Sequence, residues 1–365
     1  VIQFPLVDQG QLWIGGKQFA RYKIQAVLGE LTLDWIDNDG DEFVAPLQRH
    51  DTVVVHTRKQ QGATAFTISG QPSAARRPSW QTAVGGTASV SVDQQNNQLS
   101  VLTSQAGLFR FDTPPAGLQY QLETVPQGVD RQAAFSRPVE LAPGRIVMMG
   151  SSTSRSVLFA ASGDGESAQH VSLEGSRGRA FPATAFGGQL LVPFDDGAIR
   201  LYHMPSGSQQ VMPFQPSLRP GEKVVWSAPA VHADPTRGFV VMRDNQQLFG
   251  VQVQQQPRQH LAMTVTKPLR DTVYPQMAAL GDHLYAVTRG EHNDVLLAYD
   301  WETLEEVAQW DVDRRVIWGP WRVDNRLLLL TDNGKLCCLQ PSTQIELLVL
   351  TSMLVIDALM STTVD

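Results

Sequence analysis

The stretch 320–339 reads PWRVDNRLLLLTDNGKLCCL: a proline, a short polar turn, four leucines, an Asp-Asn-Gly step and a second apolar run. Residues 182–202, PATAFGGQLLVPFDDGAIRLY, repeat that order with Pro182, the Gly187-Gly188 turn, the apolar run 190–192, then Asp195-Asp196-Gly197 and a second run ending at Tyr202. Short apolar runs bounded by Gly, Asn and Asp are strands joined by tight turns. Glycine supplies the left-handed turn conformation, and Asp or Asn side chains bond to their own backbone.

Weaker copies fill the rest of the chain. Pro5 leads to Leu12-Trp13-Ile14, Pro46 to Val53-Val54-Val55, Pro138 to Ile146-Val147-Met148-Met149, Pro229 to Phe239-Val240-Val241-Met242, and Pro275 to Leu284-Tyr285-Ala286-Val287. A copy near residue 88 lacks the proline but keeps Leu99-Ser100-Val101-Leu102 and Leu108-Phe109-Arg110-Phe111. The copies begin near 5, 46, 88, 138, 182, 229, 275 and 320, roughly 41 to 50 residues apart, the spacing of propeller blades. Closing strands such as Leu31-Thr32-Leu33-Asp34-Trp35 and Val307-Ala308-Gln309-Trp310 bring each copy to about four strands. One such sheet buries one face at best and leaves two hydrogen-bonding edges open, whereas radial packing buries both faces. The expectation is an all-β chain, one domain over 1–365, forming a single eight-bladed β-propeller of four-stranded antiparallel blades, with seven blades the alternative. Its innermost strands are expected near Leu12, Val54, Leu99, Val147, Leu191, Val240, Tyr285 and Leu328.

The composition, 42% hydrophobic and 18% charged, provides for a large core and excludes global disorder. A formal net charge of -7 argues against nucleic acid and anionic lipid as partners, since both need clustered cations. The densest basic pairs, Arg76-Arg77 and Arg314-Arg315, read as solvated turns. No apolar run is long enough to span a bilayer as a helix. The chain opens on Val1 without a charged-then-apolar leader and reads as a processed piece that leaves room for a removed signal peptide or anchor. Its two cysteines, Cys337 and Cys338, are adjacent, so a long-range disulfide within the chain is impossible.

Between Pro275 and Trp310 the order Leu284-Tyr285-Ala286-Val287, Leu297-Ala298-Tyr299-Asp300, Thr303, Trp310 resembles the repeat of PQQ-like β-propellers. That repeat runs through a proline, an apolar strand, Asp-Gly, a Leu-Tyr-Ala-Leu-Asp strand, Thr-Gly and a closing Trp. Leu336-Cys337-Cys338-Leu339-Gln340 fits the same strand. The resemblance covers the whole chain in rhythm and is specific in the last four copies. The family includes quinoprotein dehydrogenases and non-catalytic members such as the propeller lipoprotein of outer-membrane protein assembly, to which this chain is closer in character. It departs from the pattern where Leu304 follows Thr303 and Gln344 follows Thr343, and the closing Trp occurs in only some copies. Those losses weaken the tryptophan-docking belt of the dehydrogenases. The resemblance therefore implies a non-catalytic binding propeller in the periplasm or cell envelope, with a PQQ-dependent oxidoreductase as the alternative.

Some quinoproteins are similar in carrying adjacent cysteines, which close a vicinal disulfide against the cofactor. Cys337 and Cys338 lie within a strand, where neighbours point to opposite faces, and they read as small buried hydrophobes. Asp37, Asp39 and Asp41 around Gly40 lack the flanking carboxylates of an EF-hand, whose places are taken by Trp35 and Pro46, and read as a solvated turn. Gly15-Gly16-Lys17 lacks the spacing of a phosphate loop, and Ser151-Ser152-Thr153-Ser154 lacks a nucleophile elbow. His283 and His292, the nearest histidines in sequence, have no zinc spacing. No catalytic residue, metal ligand or cofactor is therefore expected. A carbohydrate-binding or carbohydrate-active propeller remains a second alternative, because carboxylates meeting across a channel leave no mark in sequence spacing.

The aromatic residues beside the copy-opening prolines are the candidate partner-binding rim: Trp226, Tyr274, Trp318 and Trp321, placed on the loops leading into the strands. Large aromatics serve either as interface hot spots or as filling between sheets. The expected function is that of a monomeric scaffold for a protein or peptide partner.

Overall fold

Leu327, Leu328, Leu329 and Leu330 share the strand Arg326–Thr331 and are all buried, but in two different places. Leu327 and Leu329 join one apolar cluster and Leu328 and Leu330 another, on the opposite face of the sheet. Successive strand residues point to opposite faces, so a run without polar interruptions marks a sheet covered on both sides. Each fully buried leucine is worth about 1.5–3 kcal/mol relative to exposure. The same division recurs at Leu190 and Val192 against Leu191, at Val240 and Met242 against Phe239 and Val241, and at Leu284 and Ala286 against Tyr285 and Val287.

The computed structural model describes residues 2–16, 19–24, 31–37, 42–43, 47–50, 53–59, 66–84, 88–93, 98–103, 108–112, 120–123, 135–142, 145–150, 156–161, 169–323, 325–333, 336–341 and 347–352. The chain is an all-β fold of small antiparallel sheets arranged as a multi-bladed β-propeller. Among the described residues the strands form eight sheets, here I to VIII, spanning 2–37, 42–84, 88–123, 135–172, 184–202, 230–268, 273–312 and 316–352. In seven of the eight sheets the strands pair in chain order, sheet II being the exception. The only helical turn among the described residues is the 3-10 segment Pro235–Arg237.

Two sheets depart from the expected four strands. Sheet V has three, and the place of a fourth is taken by single bridges, Ile199 to Phe214 and His203 to Ser208. Sheet II has five, because two short pieces, Glu42–Phe43 and Gln48–His50, both pair with Val53–Lys59. The sequence between those pieces carries Pro46, which has no N–H to give to a ladder.

The first strands converge. Ala88–Asp93 touches Gln48–His50 on one side and Phe135–Ala142 on the other; the contacts continue through Thr184–Phe186, Ala230–Val231, Val273–Leu280 and Val316–Val323, which meets Ile2–Asp8. Sheets I and II join through Gln11–Gly16 and Glu42–Phe43, and the last strand of sheet VIII meets the last strand of sheet I. The innermost strands are thus the first of each sheet. The strands of Leu12, Val54, Leu99, Val147, Leu191, Val240, Tyr285 and Leu328, expected to be innermost, are each one position further out.

The prolines explain the difference. Pro5, Pro138, Pro275 and Pro320 lie inside first strands, each at a break in register with the second strand. A residue without an N–H is tolerated at a sheet edge or a bulge, and the innermost strand is an edge. The proline that reads in sequence as the approach to a strand is part of the strand beside the axis.

Candidate functional site

The side chains at the start of the inner strands of sheets VII and VIII form the candidate site. Because these two sheets have the same strand order, the starts lie at one end of the ring. Asp294, which opens the third strand of sheet VII, is fully buried and binds the start of sheet VIII. Its Oδ2 accepts from the Val316 N–H at 2.8 Å, and its Oδ1 accepts from Arg315 Nη1 at 2.8 Å. Arg315 also donates to the carbonyls of Gly290 and Glu291, both at 2.7 Å, while Arg289 Nη1 stands 3.9 Å from Asp294. A buried carboxylate is stable only when paired and hydrogen-bonded, and this one has both a cation and a backbone donor. It fixes the position from which Ile317 and Trp318 project.

Trp318 and Trp321 stack with ring centroids 5.9 Å apart and planes 13° from parallel. Both are half-buried against the cluster between sheets VIII and I. Ile317, between Val316 and Trp318, is 55% exposed. Tyr274 is half-buried on the inner strand of sheet VII, with the Arg289 guanidinium 4.5 Å from its ring centre. Burial, joined by the Asp294 charge, pushes its phenol above the usual tyrosine value.

Tyr274, Trp318 and Trp321 lie on two neighbouring inner strands, not on loops, Tyr274 packed toward the cluster between sheets VII and VIII and the two tryptophans toward the cluster between sheets VIII and I. Trp226 does not join them. It is 2% exposed and packs in the wedge between sheets V and VI, edge-on to Phe249 at 5.7 Å. Its neighbour Val225 is the exposed residue there, at 58%. Sequence reasoning missed Ile317 and Val225. The available signal was the period of two: a tryptophan turned inward places its neighbour outward.

The remaining candidates separate. Cys337 and Cys338 are free thiols, buried on opposite faces of their strand, Cys337 toward sheet VII and Cys338 toward sheet I. Burial pushes the Cys338 thiol up to about 11. Cys337 borders a cleft of about 300 Å³ with Leu296, Trp310, Leu329 and Leu339. His283 rests against Tyr285 with ring centres 6.2 Å apart, and His292 is exposed. Lys17, Asp39, Gly40, Asp41 and Ser151 to Ser154 lie outside the described residues. Among the described residues no group of three or more His, Cys, Asp or Glu side chains could hold a metal ion, and no helix is long and apolar enough to cross a membrane.

No protein-family model matches the chain, and no curated protein matches it in sequence. Solved structures do match in fold. The chain is similar to the computationally designed Ika8 protein, with a TM-score of 0.58 and 13% identity over 92% of this chain and 95% of that one. It is similar to BamB from Moraxella catarrhalis, with a TM-score of 0.55 and 12% identity over 92% and 93% of the two chains. Apo AztD from Citrobacter koseri gives a TM-score of 0.53 and 12% identity, again over 92% and 93%. At such identities the likeness is one of fold.

Proposed function

We propose that the chain is a non-catalytic scaffold: an eight-bladed propeller that holds a protein or peptide partner at the rim formed by Tyr274, Ile317, Trp318 and Trp321. The observation that carries this reading is the exposed Ile317 beside the stacked Trp318–Trp321 pair, on a strand whose start is pinned by buried Asp294. An aliphatic side chain in water next to half-covered indoles is the composition of an interface core, and a pinned strand lowers the entropy lost on binding. The eight sheets, and the contacts that link each to the next around the ring, support the blade count. The repeat resemblance to non-catalytic PQQ-like propellers supports an extracytoplasmic, envelope-associated setting.

The test is affinity capture from an envelope extract with the wild-type chain, Ile317→Asp and Trp321→Ala, with each melting temperature measured alongside. A hot-spot tryptophan cut to Ala costs at least about 2 kcal/mol of binding, roughly thirtyfold. The expected result is a discrete captured partner, weakened by that factor in both variants, with melting temperatures near wild type. A large fall in the melting temperature of Trp321→Ala, with unchanged affinity in the folded fraction and in Ile317→Asp, would assign Trp321 to the filling between sheets and remove the rim.

A further inference from the structure

We infer that the groove between the outer strands of sheets I and II is a second docking surface, independent of the rim, and that it takes an extended acidic segment of a partner protein. The groove, of about 780 Å³, is lined by Trp35 and Asp37 from sheet I and by Arg58, Arg76, Arg77 and Trp80 from sheet II. Three guanidinium groups against one carboxylate invert the sign of a chain whose net charge is -7. Asp37 is engaged by Arg58, at 4.0 Å, and Arg58 also donates to Gln81 Oε1 at 3.3 Å. Arg76 and Arg77 are exposed and make no ion pair with any described residue. Among the described charges of the groove, they are the two that no described carboxylate engages.

The two arginines do not sit on a loose turn. The segment that bears them is tied down at both ends. Buried Arg21 of sheet I donates to the carbonyls of Ser73 and Ala75, and Arg49 Nη1 reaches Ser73 Oγ at 3.1 Å. Gln71 Nε2 donates to the Ala75 carbonyl at 2.7 Å, and the Ser79 N–H returns to the Gly70 carbonyl at 2.8 Å. Pro78 fixes one further backbone angle. Holding a turn this way cuts the ordering cost of presenting its charges.

The aromatic wall is equally set. Gly70 pairs with Trp80 in register, and a Cβ at position 70 would overlap the indole, so glycine is what lets the ring lie flat on the sheet. Trp80 also opens the terminal strand of sheet II, Trp80–Val84, whose outer backbone side pairs with no described strand. An open edge recognises extended backbone, and fixed indoles with free guanidinium groups select side chains that are acidic and aromatic.

The test uses the full chain, with fluorescence anisotropy of a short labelled peptide alternating Glu with Tyr, its Lys-for-Glu counterpart, a single-stranded oligonucleotide, and vesicles of anionic lipid. The Glu peptide is expected to bind at least about tenfold more tightly than the other three probes, and to weaken as salt rises. The double variant Arg76→Glu, Arg77→Glu is expected to lose that binding by at least about tenfold, with its melting temperature unchanged. Arg76→Gln, Arg77→Gln decides the matter if charge reversal disturbs the fold. Trp321→Ala is expected to bind the Glu peptide as wild type does, which separates this groove from the rim. Unchanged binding in both arginine variants, equal binding of the Lys peptide, or tighter binding of the oligonucleotide or vesicles would overturn the inference.

Discussion

Between sheets V and VI the facing side chains are Phe186, Leu191, Leu201, Phe214, Trp226, Phe239, Val241 and Phe249. Between sheets I and II, Trp13, Phe19, Leu47 and Val54 share the wedge with buried Arg21, His56, Ser69 and Gln71. The first wedge is held by apolar area and by edge-on ring contacts, Phe186 to Phe239 at 5.6 Å and Trp226 to Phe249 at 5.7 Å. The second contains a charged guanidinium 5.2 Å from the Trp13 ring centre, donating to Asp34 at 2.6 Å. Buried polar groups add little net stability even when satisfied, but they fix one arrangement. The apolar wedge joins its two sheets by area and ring contacts, while the polar wedge also holds the turn 72–79 in place.

The largest effect expected from this contrast is at Trp226. Trp226→Ala should cost about 3–5 kcal/mol, the range for emptying a buried tryptophan site. Urea denaturation measures it. A loss below about 1 kcal/mol would mean that the V/VI wedge collapses around the gap and is not the stable partner in the comparison.

Arg21→Ala should cost about 3 kcal/mol, at the low end for removing one partner of a buried pair, because Lys23 still reaches Asp34 at 3.1 Å. The distinguishing readout is local. The Ala75 amide, which bonds to the Pro72 carbonyl at 3.0 Å, should exchange its hydrogen faster in Arg21→Ala and unchanged in Trp226→Ala under native conditions. Equal protection in both variants would show that Arg21 stabilises the sheet without holding the turn.

Much of the fold was legible in the sequence because a strand period and an Asp/Asn-Gly turn are local signals. The place of the innermost strand was not, because Pro275 and Pro320 look alike whether they precede a strand or bulge within one. The Thr303-Leu304 step illustrates a second limit. It reads as loss of the repeat's Thr-Gly turn, yet Leu304 adopts φ +54 and the turn is kept, with Asp300 Oδ1 accepting from the Thr303 N–H and hydroxyl, both at 2.9 Å. A left-handed leucine is strained, and full burial of its side chain offsets that strain. Of the candidate rim, Trp226 was misplaced because nothing in its own neighbourhood shows that Phe249 covers it. The pair Arg76-Arg77 is exposed, as it reads in sequence; the groove around it was not legible because Trp35, which lines it, and Arg21, which holds its turn, lie in the preceding copy.

The smallest effect separates the wedges by pH. His56 is fully buried, its ring 4.5 Å from that of Phe19, and burial, joined by the Arg58 charge, holds its pKa down to about 3. An unfolded chain binds that proton near pH 6.5. The folded pKa is the lower one, so the stabilisation is fully present above about pH 6.5 and is lost as pH falls toward about 3, at about 1.4 kcal/mol per unit. Asp34, whose value stays below the ordinary carboxylate range because Lys23 and Arg21 outweigh its burial, contributes little above about pH 5. Between pH 7 and pH 5 the slope therefore belongs mainly to His56, and wild type should lose about 2 kcal/mol across that interval beyond what His56→Leu loses. Trp226→Ala should keep the wild-type slope while starting from a lower stability. Parallel urea midpoints for wild type and His56→Leu would mean that His56 takes up its proton in the folded chain, and the polar wedge would then be open to water.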